Sequence, residues 1–111
     1  MTKNIRESNG VKYWRTYSDA NHTNRHAEVE GIRFCAFPYQ SYLSQHIGAH
    51  RRSAHVSDVS TWRGERWSVR IIEPAPAGTR GDFYGDSNTI DFRFFDNGDA
   101  AFKWAAQEIL K

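Results

Sequence analysis

The sequence predicts an α+β domain: an antiparallel sheet of four or five strands, with a C-terminal helix packed on one face and a second short helix. Three observations carry this expectation. Runs rich in aromatic and β-branched residues recur between turn signals. The stretch from Asn97 to Leu110 keeps a helical period throughout. A chain of 111 residues has the size of one domain, whereas either half alone would bury too little surface to hold a core. A single domain over 1–111 is therefore expected.

The first strand is expected at Val11-Lys12-Tyr13-Trp14-Arg15-Thr16-Tyr17, after the turn pair Asn9-Gly10. The polar stretch Ser18 to Arg25 has no apolar period and reads as a loop. Strand character returns from Ala27 to Phe37, where Gly31 marks a bulge or turn, giving one bent strand or a hairpin. After Pro38 the period changes. Tyr39, Tyr42, Leu43, His46 and Ile47 fall at i, i+3, i+4, i+7 and i+8, which predicts a short amphipathic helix ending near Gly48. Residues 49–64 are polar and Arg-rich and read as a long loop in which only His55 to Val59 has strand character.

Trp67-Ser68-Val69-Arg70-Ile71-Ile72 is the next strand, closed by Glu73-Pro74-Ala75-Pro76, which cannot continue a ladder. Asn88 to Phe95 alternates, with Ile90, Phe92 and Phe94 on one face and Asp91, Arg93 and Phe95 on the other. The last element is the helix, with Asp96 as the expected N-cap and Asp99 in the first turn. Phe102, Ala105, Ala106, Ile109 and Leu110 form its apolar stripe. Trp104 lies about 200° around the axis from Phe102 and so points away from that stripe.

Composition narrows the function classes. The apolar fraction is 39%, the charged fraction 25% and the aromatic fraction a high 14%, which argues for a folded, contact-rich protein. No run approaches the roughly 20 apolar residues of a membrane span, and Met1-Thr2-Lys3-Asn4-Ile5-Arg6 lacks the apolar segment of a signal peptide. A cytoplasmic protein without a membrane partner is expected. Cys35 stands alone, which excludes an internal disulfide and a multi-cysteine zinc cage, and its apolar surroundings suit a small core residue better than a nucleophile. The net charge of +2 is unevenly spread: residues 1–80 carry 12 Lys or Arg against 7 Asp or Glu, and residues 81–111 carry 3 against 6. Most of the basic residues are Arg, whose planar fork suits carboxylates, phosphates and aromatic faces.

The histidines His46, His50 and His55 lie close in sequence, but a closed zinc site needs about four ligands, and no Cys pair or His-Glu-x-x-His pattern supplies them. No metal and no cofactor are expected. The same histidines with Arg51 and Arg52 contain the residue types of a metal-independent nuclease, so a small His-dependent nuclease is one alternative reading. No Gly-x-Ser-x-Gly, phosphate-cradling glycine loop or paired carboxylate motif is present, and no catalytic residue is assigned. The acidic loop Gly81 to Asn88 reads as solvated, because Asp82 and Asp86 fall short of a calcium ligand set.

The richest contact chemistry runs from Arg51 and Arg52 through Trp62, Arg63 and Arg66, joined by the off-stripe Trp104. Arg interleaved with flat rings is the composition of protein hot spots and of single-stranded nucleic-acid sites alike. The leading expectation is a non-enzymatic binding protein that docks on a protein or nucleoprotein complex. Its concrete version is a phage-type inhibitor of host defence such as an anti-CRISPR protein. An Arg/aromatic nucleic-acid-binding module is the alternative. A monomer and a homodimer are equally compatible with the sequence.

Three segments carry a resemblance over less than half the chain: Trp67-Ser68-Val69-Arg70-Ile71, Phe92-Arg93-Phe94-Phe95-Asp96 and Ala100-Ala101-Phe102-Lys103-Trp104-Ala105. Their order is similar to the arm-type DNA-binding domains of tyrosine recombinases and to several small phage-encoded proteins. The resemblance implies a sheet-plus-helix module. Those domains read DNA with basic strands, whereas Asp82, Asp86, Asp91, Asp96 and Asp99 make this region acidic.

Overall fold

The computed structural model describes residues 4–19, 22–36, 42–45, 50–59 and 66–111. Eight strands follow one another: β1 (Arg6–Ser8), β2 (Val11–Asp19), β3 (His22–Val29), β4 (Ile32–Ala36), β5 (Tyr42–Gln45), β6 (Ser53–Asp58), β7 (Trp67–Pro74) and β8 (Ser87–Phe95). Each pairs antiparallel with the next, so the sheet order is the chain order. One helix, α1 (Gly98–Ile109), closes the fold.

This corrects the expected sheet of four or five strands with a second helix. The proposed helix from 39 to 47 is overturned at Tyr42–Gln45, which is a strand paired with β4 on one side and β6 on the other. Residues 39–41 and 46–47 of that segment lie outside the described residues. Tyr and Leu fit either period over so short a run, and cross-strand partners decide: Leu43 is buried opposite Val56, and Tyr42 stacks on His55 with ring centroids 4.5 Å apart. The loop expected across 18–25 is strand up to Asp19 and again from His22, while the strand character expected at His55 to Val59 is met by β6, which begins two residues earlier at Ser53 and ends at Asp58.

Two hairpins are set by local chemistry. Asn9 and Gly10 have φ 51° and 85°, and Glu30 and Gly31 have φ 52° and 79°. Positive φ at both central residues marks the two-residue turn whose twist matches paired strands. Gly31 therefore marks a hairpin between β3 and β4, not a bend within one strand.

Alternation sorts the sheet into two faces. Val11, Ala27, Phe34, Leu43, Ala54, Val56, Val69 and Ile71 are buried on the face that meets α1. The helix touches β2 and β3 as well as β6, β7 and β8, so the sheet must curl around it. Ala101, Ala105 and Ala106 let the backbones approach, while Phe102 fills the centre. Its ring meets Tyr13 of β2 at 5.8 Å, Phe34 of β4 at 5.2 Å and Trp67 of β7 at 5.8 Å. At the helix start, a Cβ on Gly98 would lie 3.0 Å from the Trp67 ring, so any larger residue there would make that ring give by a few tenths of an ångström.

Asn97, not the expected Asp96, caps the helix, its side-chain oxygen accepting from the Ala100 amide at 2.9 Å. Leu110 falls at the C-cap and is 47% exposed, so the apolar stripe ends at Ile109. The other end is tied by Arg52, whose guanidinium donates to Glu73 of β7 at 3.0 Å and to Glu108 of α1 at 3.2 Å.

Strand β8 presents an unusual face to the helix. Asp91, Arg93 and Phe95 stand opposite Ile71, Val69 and Trp67 of the inner face, leaving Phe92 and Phe94 on the outer surface. Trp104 covers the inner side, 5.6 Å from Phe95 and 4.6 Å from the Arg93 guanidinium carbon. Phe102→Ala is expected to remove about 3–5 kcal/mol of stability, whereas Leu110→Ala should change it by less than about 0.5 kcal/mol; urea titration of both variants checks which helix face is seated.

Candidate ligand-binding cavity

The helix does not fill the whole trough. Beside its N-terminal half the curled sheet leaves a cavity of about 630 Å³. Its apolar floor comes from Leu43, Trp67, Phe102 and Tyr13, of which Leu43 and Phe102 are fully within the core. Its rim carries Arg6, Arg15 and Arg25 with the exposed Tyr17. The described lining contains no Asp or Glu.

Strand pairing builds this rim. Arg6 stands opposite Tyr13, with its guanidinium carbon 5.2 Å from the ring centroid. Arg15 stands directly opposite Arg25 across the β2–β3 ladder. Both side chains therefore stand on the same face of the sheet at the cavity mouth, and guanidinium forks above an aromatic floor suit a negatively charged group.

The back wall is anchored by Asp99 in the first turn of α1. Its carboxylate accepts from the Ser8 hydroxyl at 2.6 Å, the Asn9 amide at 2.9 Å and the Tyr13 hydroxyl at 2.5 Å. Burial alone would raise its pKa, but the bonds from Ser8, Tyr13 and Asn9, with the nearby Arg6 charge, bring it below the ordinary value. Burial, then the hydrogen bond and charge of Asp99, push the Tyr13 phenol far up, so it stays a neutral donor. The first hairpin is thereby fixed to the helix, and Tyr13 is held as part of the floor.

A smaller cleft of about 280 Å³ lies on the outer face, formed by Tyr42, His55, Arg70, Phe83 and Phe92 among others. His55 lies flat on Tyr42 and edge-on to Phe83 at 5.0 Å. The Arg70 guanidinium carbon is 5.0 Å from the centroids of both Phe83 and Phe92, and its Nη1 donates to Thr89 at 2.8 Å. Burial first, and then the Arg70 charge, lower the His55 pKa below 6.5. The acidic loop serves this arrangement: Asp82 accepts from the Thr89 amide at 2.7 Å, and the Phe83 and Ser87 backbones bridge, which brings Phe83 back onto the sheet.

The residues expected at a contact site are dispersed. Arg51 and Arg66 are exposed at the entrances to β6 and β7, Arg52 is held by Glu73 and Glu108, and Trp104 lies half-buried against β8. Trp62, Arg63 and His46 lie outside the described residues. His50 is exposed, and among the described residues no group of three or more His, Cys, Asp or Glu is gathered for a metal. No helix among the described residues is long and apolar enough to cross a membrane. The cavity rim was missed, although the period of two already places Tyr13, Arg15 and Tyr17 on one face. In comparisons with known proteins, no family model, no curated protein and no solved structure matches the chain.

Acidification is expected to weaken the fold in two windows. An imidazole that resists the proton when folded but takes it when unfolded costs stability as pH falls below about 6.5. Asp99 contributes stability above its unfolded pKa near 3.8, and this is lost as pH falls through its lower folded value. His55→Gln should flatten the first decline and Asp99→Asn the second, read as urea midpoints on either side of each window.

Proposed function

We propose that this chain is a binding module for a single-stranded, phosphate-bearing partner, which it receives in the cavity between β1, β2, β3 and α1. The observation that carries this reading is the convergence of Arg6, Arg15 and Arg25 on an aromatic floor with no Asp or Glu among the described lining residues. Phosphates pair with guanidinium forks, and bases stack on rings such as Tyr17 and Tyr13. The volume of about 630 Å³ falls in the range of small-ligand pockets and suits one flat base, with successive phosphates of the strand running along the three rim arginines, and not a duplex. The strand could be free or part of a nucleoprotein. A phage-type inhibitor of host defence, such as an anti-CRISPR protein, would use the same mouth against a nucleoprotein target.

Titration of a short fluorescein-labelled oligothymidine, read by anisotropy, tests this reading. Three phosphate contacts on a single strand give a salt slope of about −2, so affinity should fall about twentyfold between roughly 50 and 200 mM salt. Arg6→Ala, Arg15→Ala and Arg25→Ala should each weaken binding and reduce the slope by about 0.7, while Arg51→Ala and Arg66→Ala should leave both within about twofold. Absence of binding at low salt, or binding indifferent to the three rim substitutions, would overturn the proposal. Capture of polyglutamate but not oligothymidine at the same arginines would reassign the site to an acidic protein.

A further inference from the structure

We propose that a second copy of this chain pairs antiparallel along the free edge of β8, with Phe92 on the two-fold axis. Among the described residues the only strand laddered with β8 is β7. Its first residue, Ser87, bridges Phe83 of the preceding turn and the Thr89 amide donates to Asp82, so the open part of the edge runs from Ile90 to Phe95, where the Phe92 amide donates to the Asp91 carboxylate at 2.8 Å. The opposite edge, β1, is only three residues long, too short to offer a second strand a ladder. Strand β8 has nine residues, no Lys and no Pro, and exposes Ile90, Phe92 and Phe94 to 41, 42 and 53%. A long edge with that surface is a template for another strand.

Symmetry and charge select both the occupant and the register. A two-fold axis perpendicular to the sheet makes two copies of β8 antiparallel with one residue on the axis, and positions equidistant from it face each other. With Phe92 on the axis, Asp91 of each copy faces Arg93 of the other, and Ile90 faces Phe94. Moving the axis to Asp91 sets that carboxylate against its own copy, and moving it to Arg93 opposes two guanidiniums. Directly opposed unlike charges favour a sheet and like charges disfavour it. The Phe92-centred register is therefore the one near the strand's middle in which charges and apolar groups are self-complementary together. Asp91 and Arg93 already share the inner face, 3.5 Å apart within one strand, so they are placed to exchange partners across the axis.

Sedimentation equilibrium of the full chain tests the pairing. The native chain should be a dimer. Arg93→Asp, which opposes carboxylates at both symmetric positions, should raise the dissociation constant at least tenfold. Adding Asp91→Arg restores opposed unlike charges with roles exchanged and should return the constant to within about threefold of native; circular dichroism confirms that each variant folds. In a Cys35→Ser background, Phe92→Cys should cross-link two copies on mild oxidation, because facing Cα atoms in antiparallel strands lie about 4.5–5.5 Å apart, within disulfide reach. Tyr84→Cys, exposed but off the axis, should not. A monomeric native chain, a dimer insensitive to Arg93→Asp, or failure of Phe92→Cys to cross-link would each overturn the proposal.

Discussion

The seating of Phe102 is the contact on which the remaining architecture depends. Eight consecutive antiparallel strands twist of their own accord, but twist alone does not set the centre they close upon, and their apolar face needs a cover. The Phe102 ring touches side chains from β2, β4 and β7, strands far apart in the sheet order, so one residue draws both wings inward. Small residues at Ala101, Ala105 and Ala106 allow this by letting the helix lie close to Ala54 and Val56. Where the helix stops covering the trough, the inward-facing residues change from Val and Ala to Arg and Tyr, and the cavity is the result. Asp99 links the two regimes, since the carboxylate that stabilises the helix start also fixes Tyr13 in the floor.

What the sequence disclosed follows from where each element's information resides. Strands β2, β7 and β8, the Asn9-Gly10 turn and the C-terminal helix carry their signals locally, in β-branched runs, a turn dipeptide and a 3.6-residue period. Strand β3 was hidden because its inward positions Thr23 and Arg25 are polar, Arg25 lining a cavity instead of a core, so no apolar alternation marks them. Strand β6 was legible only as the strand character of His55 to Val59, because its inward positions Ala54 and Val56 are small residues whose contribution emerges only through cross-strand packing. Strand β5 was misread because four residues cannot distinguish periods of 2 and 3.6 when both templates fit Tyr42 and Leu43.

The cavity was less legible than the fold for a related reason. Arg15 and Arg25 become neighbours only through the β2–β3 register, and Arg6 reaches them only because a two-residue turn sets β1 beside β2. No sequence window contains that convergence. The Arg-rich run that does stand out in the sequence divides its members between a half-buried ion network, two exposed strand entrances and residues outside the described part of the chain. Density of a residue type along the chain and density in space are different quantities, and a meander built from hairpins separates them.

The position of α1 after all eight strands bears on biosynthesis. During translation the strands emerge in pairing order, so each hairpin can zip onto the last as it appears, with contacts that are close in sequence. The inner lining arrives only with the twelve residues of Gly98–Ile109. Until then the nascent sheet presents Phe34, Val56, Val69 and Ile71 to solvent, together with an unfinished edge. The form of the chain most prone to chaperone capture is thus the one in which β8 has paired and the helix has not yet docked, and that exposure ends once Phe102 closes the trough.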